Sequence, residues 1–551
     1  MPHLSHPILT CAQAKAWEAK LLRDEVAEWN AMQHAGRAVA NALLDDAREI
    51  GGLDAGARLL VLAGKGHNGG DALLAAATLL ANLPGATADV VCAFGVDALR
   101  PLARRALDTL RATAGARMHE LDAPALKREF ASYDACLDGV FGFQFRPPID
   151  DATAELLAWV NTHPRLRLRA AVDLPSGLGE EANGATIFRA DFTYCTGIVK
   201  STVIAPANAA FVGRPRYLDL GFFAGVAGVS EPAKPAREPT TGAANRVLIS
   251  SLVRPLGALR PAQSDKRTYG HLLVVGGSRH YPGAVLMTVQ AALRSGVGLL
   301  TACVPASLVP EYAAKFPEAM WVGFTESADG GLSPAAVDLI GEKASRATAL
   351  AIGPGLGAAP ETLEAAAAIL RNTPDSLPLL LDADALRAEV VHAAVGKRLV
   401  LTPHAGEWQR LGGSAGLRPA SEHSHTGETV AVLKGSPTRI TSSAALQPAL
   451  EDIQRGLKHR ATPEIDAIAY YSFFGGPVLA RGGSGDLLAG LIGGLLAQAP
   501  NDLLLAAACG VVWHGLAADL LARDKGQVAV QTTQLLDYLQ PALHCTDHED
   551  T

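Results

Sequence analysis

Ten short segments of this chain are apolar almost from end to end, and most run into a glycine- or proline-bearing turn and then a helical pattern. In the first half these are RLLVLAG (58–64), ADVVCAFG (88–95), DACLDGVFG (134–142) and RAAVDLPSG (169–177). In the second they are HLLVVGGS (271–278), GLLTACVP (298–305), TALAIGPG (348–355), PLLLDADAL (378–386), RLVLTPH (398–404) and TVAVLKG (429–435). A strand apolar on both faces must be covered on both faces, so this rhythm predicts parallel sheets sandwiched between helices. The fold class expected is α/β, as two three-layer αβα domains. At 551 residues the chain exceeds what one core organises. Residues 223–245, FAGVAGVSEPAKPAREPTTGAAN, are rich in Pro, Ala and Gly without periodicity and read as a linker. The expected division is 1–222, a linker at 223–245, and 246–551. The halves carry different motifs and are not repeats. Residues 441–472 are irregular and no elements are assigned to them.

A net charge of −7 and the absence of any Lys/Arg block argue against nucleic-acid or membrane-surface partners. The seven cysteines show no CxxC spacing and sit mostly in apolar runs, so reduced core residues are expected, without a metal–thiolate site. MPHLSHPILT lacks the regions of a secretory leader, and no apolar run is expected to reach membrane length. A soluble cytoplasmic protein follows as the expectation. Helices rich in Ala and Gly pack readily, which suggests a homo-oligomer, taken as a tetramer.

The most informative motif is RGGSGDLLAGLIGGLLAQ (481–498). Gly482, Gly483, Ser484 and Gly485 run straight into an apolar helix. Backbone N–H groups can converge there beside a partially positive helix start, which suits a phosphate. Asp486 in the first turn conflicts with a phosphate unless it is a base, taking a proton from a hydroxyl as that oxygen attacks phosphorus. A tight turn with Asp486 as a capping residue explains the same letters.

In the first half, GKGHNGGDALLAAATLL (64–80) follows a strand, and Gly69-Gly70-Asp71 opens a helix. It is not GxGxxG, the fingerprint of ordinary hydride-transfer enzymes. Asn68, Asp138, Asp173 and Ser176 fall at strand C-terminal ends, the edge where open parallel sheets gather ligands. Each alone also reads as a turn or cap. Taken together, Gly66 to Asp71, Asp138 to Gly142 and Val172 to Gly177 resemble the GxGNNGGDG, DAxFGxG and VDxPSG signatures of the NAD(P)H-hydrate epimerases, over roughly 200 residues. WNAMQHAGRAVANALL resembles that family's N-terminal helix. His67 replaces the first asparagine, Ala72 replaces a glycine, and FGFQF lacks the second glycine. The resemblance implies a Rossmann-like sheet and a potassium ion on Asn68, Asp138 and Ser176, all hard oxygen donors. It implies a substrate cradle from His67, Asn68, Gly69, Gly70 and Asp71 with Gly142, Phe143, Gln144, Phe145, Arg146, Pro147 and Pro148. Asp173 would be the acid/base near the nicotinamide.

The second half orders GGSRH, GPGLG (353–357), LDADAL (381–386), LTPHAGEWQRL (401–411), VLKGSPT (432–438) and GGSGD along the chain. Over about 270–525 this is similar to the ADP/ATP-dependent NAD(P)H-hydrate dehydratases, of ribokinase-like fold. By that resemblance Asp486 is the base. Gly482, Gly483, Ser484 and Gly485 bind nucleotide together with Lys434, Gly435, Ser436, Pro437 and Thr438. Ala284, Gly355 and His404, with Asp486, line the hydrate pocket. Asp382 and Asp384 read equally as turn residues. The family's GNP reads Gly475-Gly476-Pro477, without the asparagine. The two halves then imply one repair pathway: epimerisation of R- and S-NADHX and NADPHX, and dehydration of the S form with ADP as co-substrate and Mg²⁺ present. The alternative is a ribokinase-like small-molecule kinase with a non-catalytic N-terminal binding module, since both share the anion hole and the base.

Overall fold

The computed structural model describes residues 4–180, 186–223, 245–412, 427–442 and 468–544. The expected linker lies outside these apart from its two end residues, as does most of 441–472. The chain divides into two compact units. One is built mainly from His6–Ala243 and the other mainly from Ala244–Leu521 with Val530–Cys545.

In the first unit seven parallel strands lie in the order Met118–Glu120, Thr87–Cys92, Arg58–Ala63, Ala135–Gly139, Arg169–Val172, Phe192–Thr196, Arg214–Leu218. Side chains alternate across a strand, so Leu59, Val61 and Ala63 enter one core and Leu60 and Leu62 the other. Helices Glu25–Ala47, His67–Asn82 and Pro101–Ala114 close the first core; Ala123–Glu129 and Asp151–Thr162 close the second. The chain works outward from Arg58–Ala63 to one edge and returns on its other side at Ala135–Gly139. That reversal opens a crevice beyond the C-terminal ends of these two strands. The turn Gly64–Gly66, the start of helix His67–Asn82 and Asp138 all sit there.

In the second unit the order is Met320–Phe324, Leu299–Pro305, His271–Val275, Ala349–Ile352, Leu379–Leu381, Leu399–Leu401, Thr429–Leu433, Thr438–Ser442, Ala469–Ser472, Asn245–Leu248. The parallel pairing expected holds through most of this sheet, and Thr438–Ser442 departs from it, antiparallel to both neighbours. Only Lys434–Pro437 joins it to Thr429–Leu433, too short a link for a crossover and the right length for a hairpin. The order reverses between His271–Val275 and Ala349–Ile352, again placing a crevice at strand C-terminal ends. Helix Ser484–Gln498 packs on Pro282–Arg294. A β-carbon on Gly490 would meet the Thr288 carbonyl oxygen at 2.2 Å, and one on Gly494 the Ser295 hydroxyl at 1.9 Å. These glycines, costly inside a helix, permit the close approach.

One expectation about length fails. Helix Leu503–Lys525 is as long and apolar as a membrane span, but 83% of its most apolar window is buried inside the protein. Its hydrophobicity serves a core. Several strands escape the apolar pattern because they are polar or peripheral, among them RPRYL at 214–218, on the sheet edge. Of the described cysteines, Cys136, Cys195, Cys303 and Cys509 are buried, Cys11 and Cys92 half-buried, and all are free thiols.

Candidate active sites

In the first unit the turn after Arg58–Ala63 is fixed by close backbone approach. A β-carbon on Gly64 would lie 1.9 Å from the Val140 carbonyl oxygen, so only glycine fits. Helix His67–Asn82 then starts on Gly66 with no side-chain cap, leaving its first N–H groups without intrahelical acceptors. Asn68 Nδ2 donates to the Phe141 carbonyl at 2.9 Å, and Phe141 N–H donates to Ser176 Oγ at 2.8 Å. Ser176 in turn donates from Oγ to Asp138 Oδ1 at 2.6 Å and from its backbone N–H to Oδ2 at 2.8 Å. The three expected cation ligands therefore share one hydrogen-bonded web. Asp138 is fully buried, and its partners are neutral donors, Ser176 and the Val140 N–H. Burial pushes its carboxyl up to about 6 against the pull of those hydrogen bonds. A buried carboxylate with no basic neighbour among its partners, beside amide and hydroxyl oxygens, suits a hard monovalent cation.

Asp173 lies at the end of the next strand, Arg169–Val172, with a left-handed backbone (φ 66°) that a non-glycine residue rarely adopts. Its Oδ1 accepts from Thr196 Oγ1 at 3.3 Å and is ion-paired to the buried Lys200 ammonium. Asp71 faces the same place: burial, Asp173 and Glu18 hold its carboxyl well above the usual range. Burial lifts Glu18 to about 7. In the 142–148 loop, the Phe143 ring lies under Lys200 Nζ at 4.8 Å, and Phe145 packs on Phe141. Gly142 abuts Asn68, while Gln144, Arg146, Pro147 and Pro148 are exposed and outside this web. His67 turns outward to Glu28 at 3.5 Å. Ala72 is tolerated because Gly139 opposite it has no side chain: a β-carbon there would meet the Ala72 methyl at 2.5 Å. No motif points to Lys200, Thr196 or Glu18. A lone lysine closing the apolar run YCTGIVK is the available signal.

In the second unit Gly483 caps helix Ser484–Gln498 with φ 90°, and Gly482 is exposed. Ser484 Oγ donates to the Leu479 carbonyl at 2.7 Å, so its hydroxyl closes the loop. Lys434 Nζ pairs with Asp382 Oδ1 at 3.0 Å, and Thr402 Oγ1 donates to the same oxygen at 2.7 Å. The ammonium lies against Gly485, 3.1 Å from where a β-carbon would stand. Asp486 is half-buried in the first turn. Burial and then the Asp382 charge raise its carboxyl to about 6; Lys434 opposes them. A carboxylate at a helix start suggests a fully ionised base, and burial gives one whose carboxyl is raised to about 6.

Asp384 Oδ2 accepts from Gly357 N–H at 2.9 Å, holding the GPGLG loop, so the turn-residue reading applies to it. Asp382 instead positions Lys434. Ala383 between them has φ 49°. Gly355, φ 66°, lies against Ala284, whose methyl is 3.0 Å from where a β-carbon on Gly355 would stand. His404 caps helix Ala405–Arg410, its Nδ1 accepting from Gly406 and Glu407 N–H at 3.0 and 3.3 Å. It is half-exposed all the same, and its backbone bridges to Lys434. Gly435 and Ser436 are exposed and Pro437 and Thr438 half-buried along the hairpin that starts at Lys434. At the departed GNP position, Gly475 N–H donates to Asp519 Oδ2 at 2.9 Å.

Residues 272–452 and 469–541 match the family described as NAD(P)H-hydrate dehydratase, and residues 29–202 match the family described as YjeF-related protein N-terminus. A bifunctional NAD(P)H-hydrate repair enzyme of Gloeobacter violaceus is 35% identical over 97% of each chain. Its counterpart in Moorella thermoacetica is 32% identical over 94% of this chain and 93% of its own. The crystal structure of the ADP/ATP-dependent NAD(P)H-hydrate dehydratase from Bacillus subtilis, co-crystallised with ATP/Mg²⁺, has 27% identity and a TM-score of 0.39, covering 53% of this chain and 96% of that one. With relatives this similar along nearly its whole length, the chain belongs to the family of bifunctional NAD(P)H-hydrate repair enzymes.

Proposed function

We propose that this chain restores hydrated nicotinamide cofactors, exchanging the R and S epimers of NADHX and NADPHX in the first unit and dehydrating the S form in the second. The observation that carries the dehydratase reading is Asp486 beside Lys434 at a glycine-lined helix start. Asp486 takes the proton of the C6 hydroxyl, and the freed oxygen attacks the terminal phosphorus of ADP. The bond from that phosphorus to the bridging oxygen breaks and AMP leaves. The ring-nitrogen lone pair then expels phosphate from C6, and loss of a proton from the adjacent ring carbon restores NAD(P)H. Lys434 and the N–H groups of Gly483, Ser484 and Gly485 offset the charge that develops on the transferred phosphoryl group. Gly435, Ser436, Pro437 and Thr438 flank the nucleotide, and Ala284, Gly355 and His404 the hydrate. Among the described residues no three or more His, Cys, Asp or Glu side chains gather as a metal site would require. In this reading Mg²⁺ arrives on the nucleotide phosphates.

In the first unit Asp173 is the acid/base, and residues 67–71 and 142–148 cradle the dinucleotide. Asn68, Asp138 and Ser176 fit a potassium ion, which would neutralise the buried Asp138 charge. Exchanging potassium for tetramethylammonium is therefore expected to slow epimerisation at least tenfold, with dehydration unchanged; the epimer ratio followed by chromatography checks it. The helix composition favours a homo-oligomer, taken as a tetramer, and light scattering on eluting protein tests it.

A base with its carboxyl raised to about 6 is protonated, and idle, below that pH. Dehydratase kcat/KM should fall on the acid side through about pH 6. Asp382→Asn removes a repelling charge and frees Lys434, so that limb should move to lower pH; a pH–rate profile decides. Equimolar AMP, phosphate and NADH from ADP and S-NADHX would support the dehydratase, whereas a phosphorylated product that persists would indicate a kinase.

A further inference from the structure

We propose that Lys200 is the positioning residue of the epimerase site, holding Asp173 so that a single carboxylate oxygen faces the substrate. The inference rests on the epimerase reading above and goes beyond it, since it gives a role to a residue outside the three motifs that carry the resemblance. Lys200 closes the short strand Val199–Lys200, and its side chain is 1% exposed. Its ammonium bonds Asp173 Oδ1, which Thr196 Oγ1 also reaches. Among the described residues Asp173 Oδ2 takes no hydrogen bond. The carboxylate is thus anchored through one oxygen, and the other is left without a hydrogen bond among the described residues, as a general base requires.

The charges around the pair point the same way. Buried Asp173 and half-buried Glu18 and Asp71 bring three carboxyl groups to this place, approached from helices Cys11–Leu21 and His67–Asn82 as well as from the sheet. Cys195 and Cys11 add polar thiols, and the Phe143 face lies 4.8 Å from Nζ. Lys200 is the basic side chain acting on both Glu18 and Asp71. Without it Asp173 would lose the ammonium that fixes its Oδ1, and the three carboxyl groups would share this place with no basic partner among the described residues. Asp173 makes this pair from a left-handed backbone (φ 66°) just past the C-terminal end of its strand, a conformation that a non-glycine residue rarely adopts. Oδ2 takes the proton of the C6 hydroxyl as the C6–N bond breaks to give a carbonyl, the electron pair resting on the ring nitrogen and its conjugated carboxamide, and returns that proton to the oxygen as the nitrogen adds again to the other face of the carbonyl, so none is stored on Nζ.

The test uses the full chain without ADP, following conversion of pure S-NADHX to the epimer mixture by chromatography, for wild type, K200M, K200R, D173N and K200M/D173N. Dehydration with ADP in each preparation, and the thermal melting curve, report folding. K200M is expected to lose on the order of a hundredfold in kcat with KM within about threefold, and K200R to recover part of it. Because Lys200 acts through Asp173, K200M should cost nothing further in the D173N background. That double variant also removes both charges of the buried pair, so the comparison survives if K200M alone folds poorly. An epimerase rate in K200M within threefold of wild type, while D173N is inactive, overturns the proposal and leaves the epimerase reading standing. An equal loss from K200M in both backgrounds overturns it too. Failure of the wild type to exchange the epimers overturns both.

Discussion

Asp486→Asn should reduce dehydratase kcat by on the order of a thousandfold, with KM for ADP unchanged or lower. Asparagine matches aspartate in shape and can keep the helix start intact, but it cannot take the C6 hydroxyl proton. Its neutrality also removes a negative charge from a site meant for phosphate, so the nucleotide loses a repulsion. A fall in kcat without a rise in KM is the signature of a group used in the transition state and not in ground-state binding. The acid limb near pH 6 should vanish with the carboxyl that produces it. Epimer exchange by the same preparation should be untouched, which separates lost chemistry from lost folding. Steady-state rates at 340 nm across ADP concentrations provide the check.

Asp173→Asn is expected to give the second large effect, on the order of a hundredfold or more in epimerisation, with dehydration of S-NADHX preserved. A mixture of epimers would then recover in two phases: the S share at the wild-type rate, the R share at the slow spontaneous rate of exchange. The substitution also leaves the Lys200 ammonium buried without its partner, and stripping one member of a buried pair typically costs about 3–5 kcal/mol. The melting transition of the first unit should fall accordingly. Restoring charge balance with Lys200→Met in the same chain should raise that transition without restoring exchange.

Much of this is legible in the residues. The apolar runs locate the central strands, because burial on both faces leaves no polar alternation to obscure them. Asn68, Asp138 and Ser176 are expected at one sheet edge, and topology gathers them in one hydrogen-bonded web. What escapes has a common cause: long-range pairing leaves no local trace. Lys200 reaches Asp173 across 27 positions and Lys434 reaches Asp382 across 52, and neither lysine belongs to a periodic pattern. The antiparallel strand Thr438–Ser442 is hidden because TRITS is half polar and its direction is set by the length of the preceding turn. Helix Leu503–Lys525 misleads in the other direction, since composition alone does not say whether lipid or protein covers an apolar surface. The electrostatics of Asp486 lie beyond the sequence too, because Asp382 and Lys434 approach it only in the folded unit.

The most direct test of the repair function is absorbance at 340 nm from an equilibrated mixture of NADHX epimers with Mg²⁺, K⁺ and ADP, comparing wild type with Asp486→Asn. Recovery of the whole mixture is expected from the wild type, with AMP formed in equal amount, and none from the variant. Full recovery by Asp486→Asn, or none by the wild type with either ADP or ATP, would contradict it.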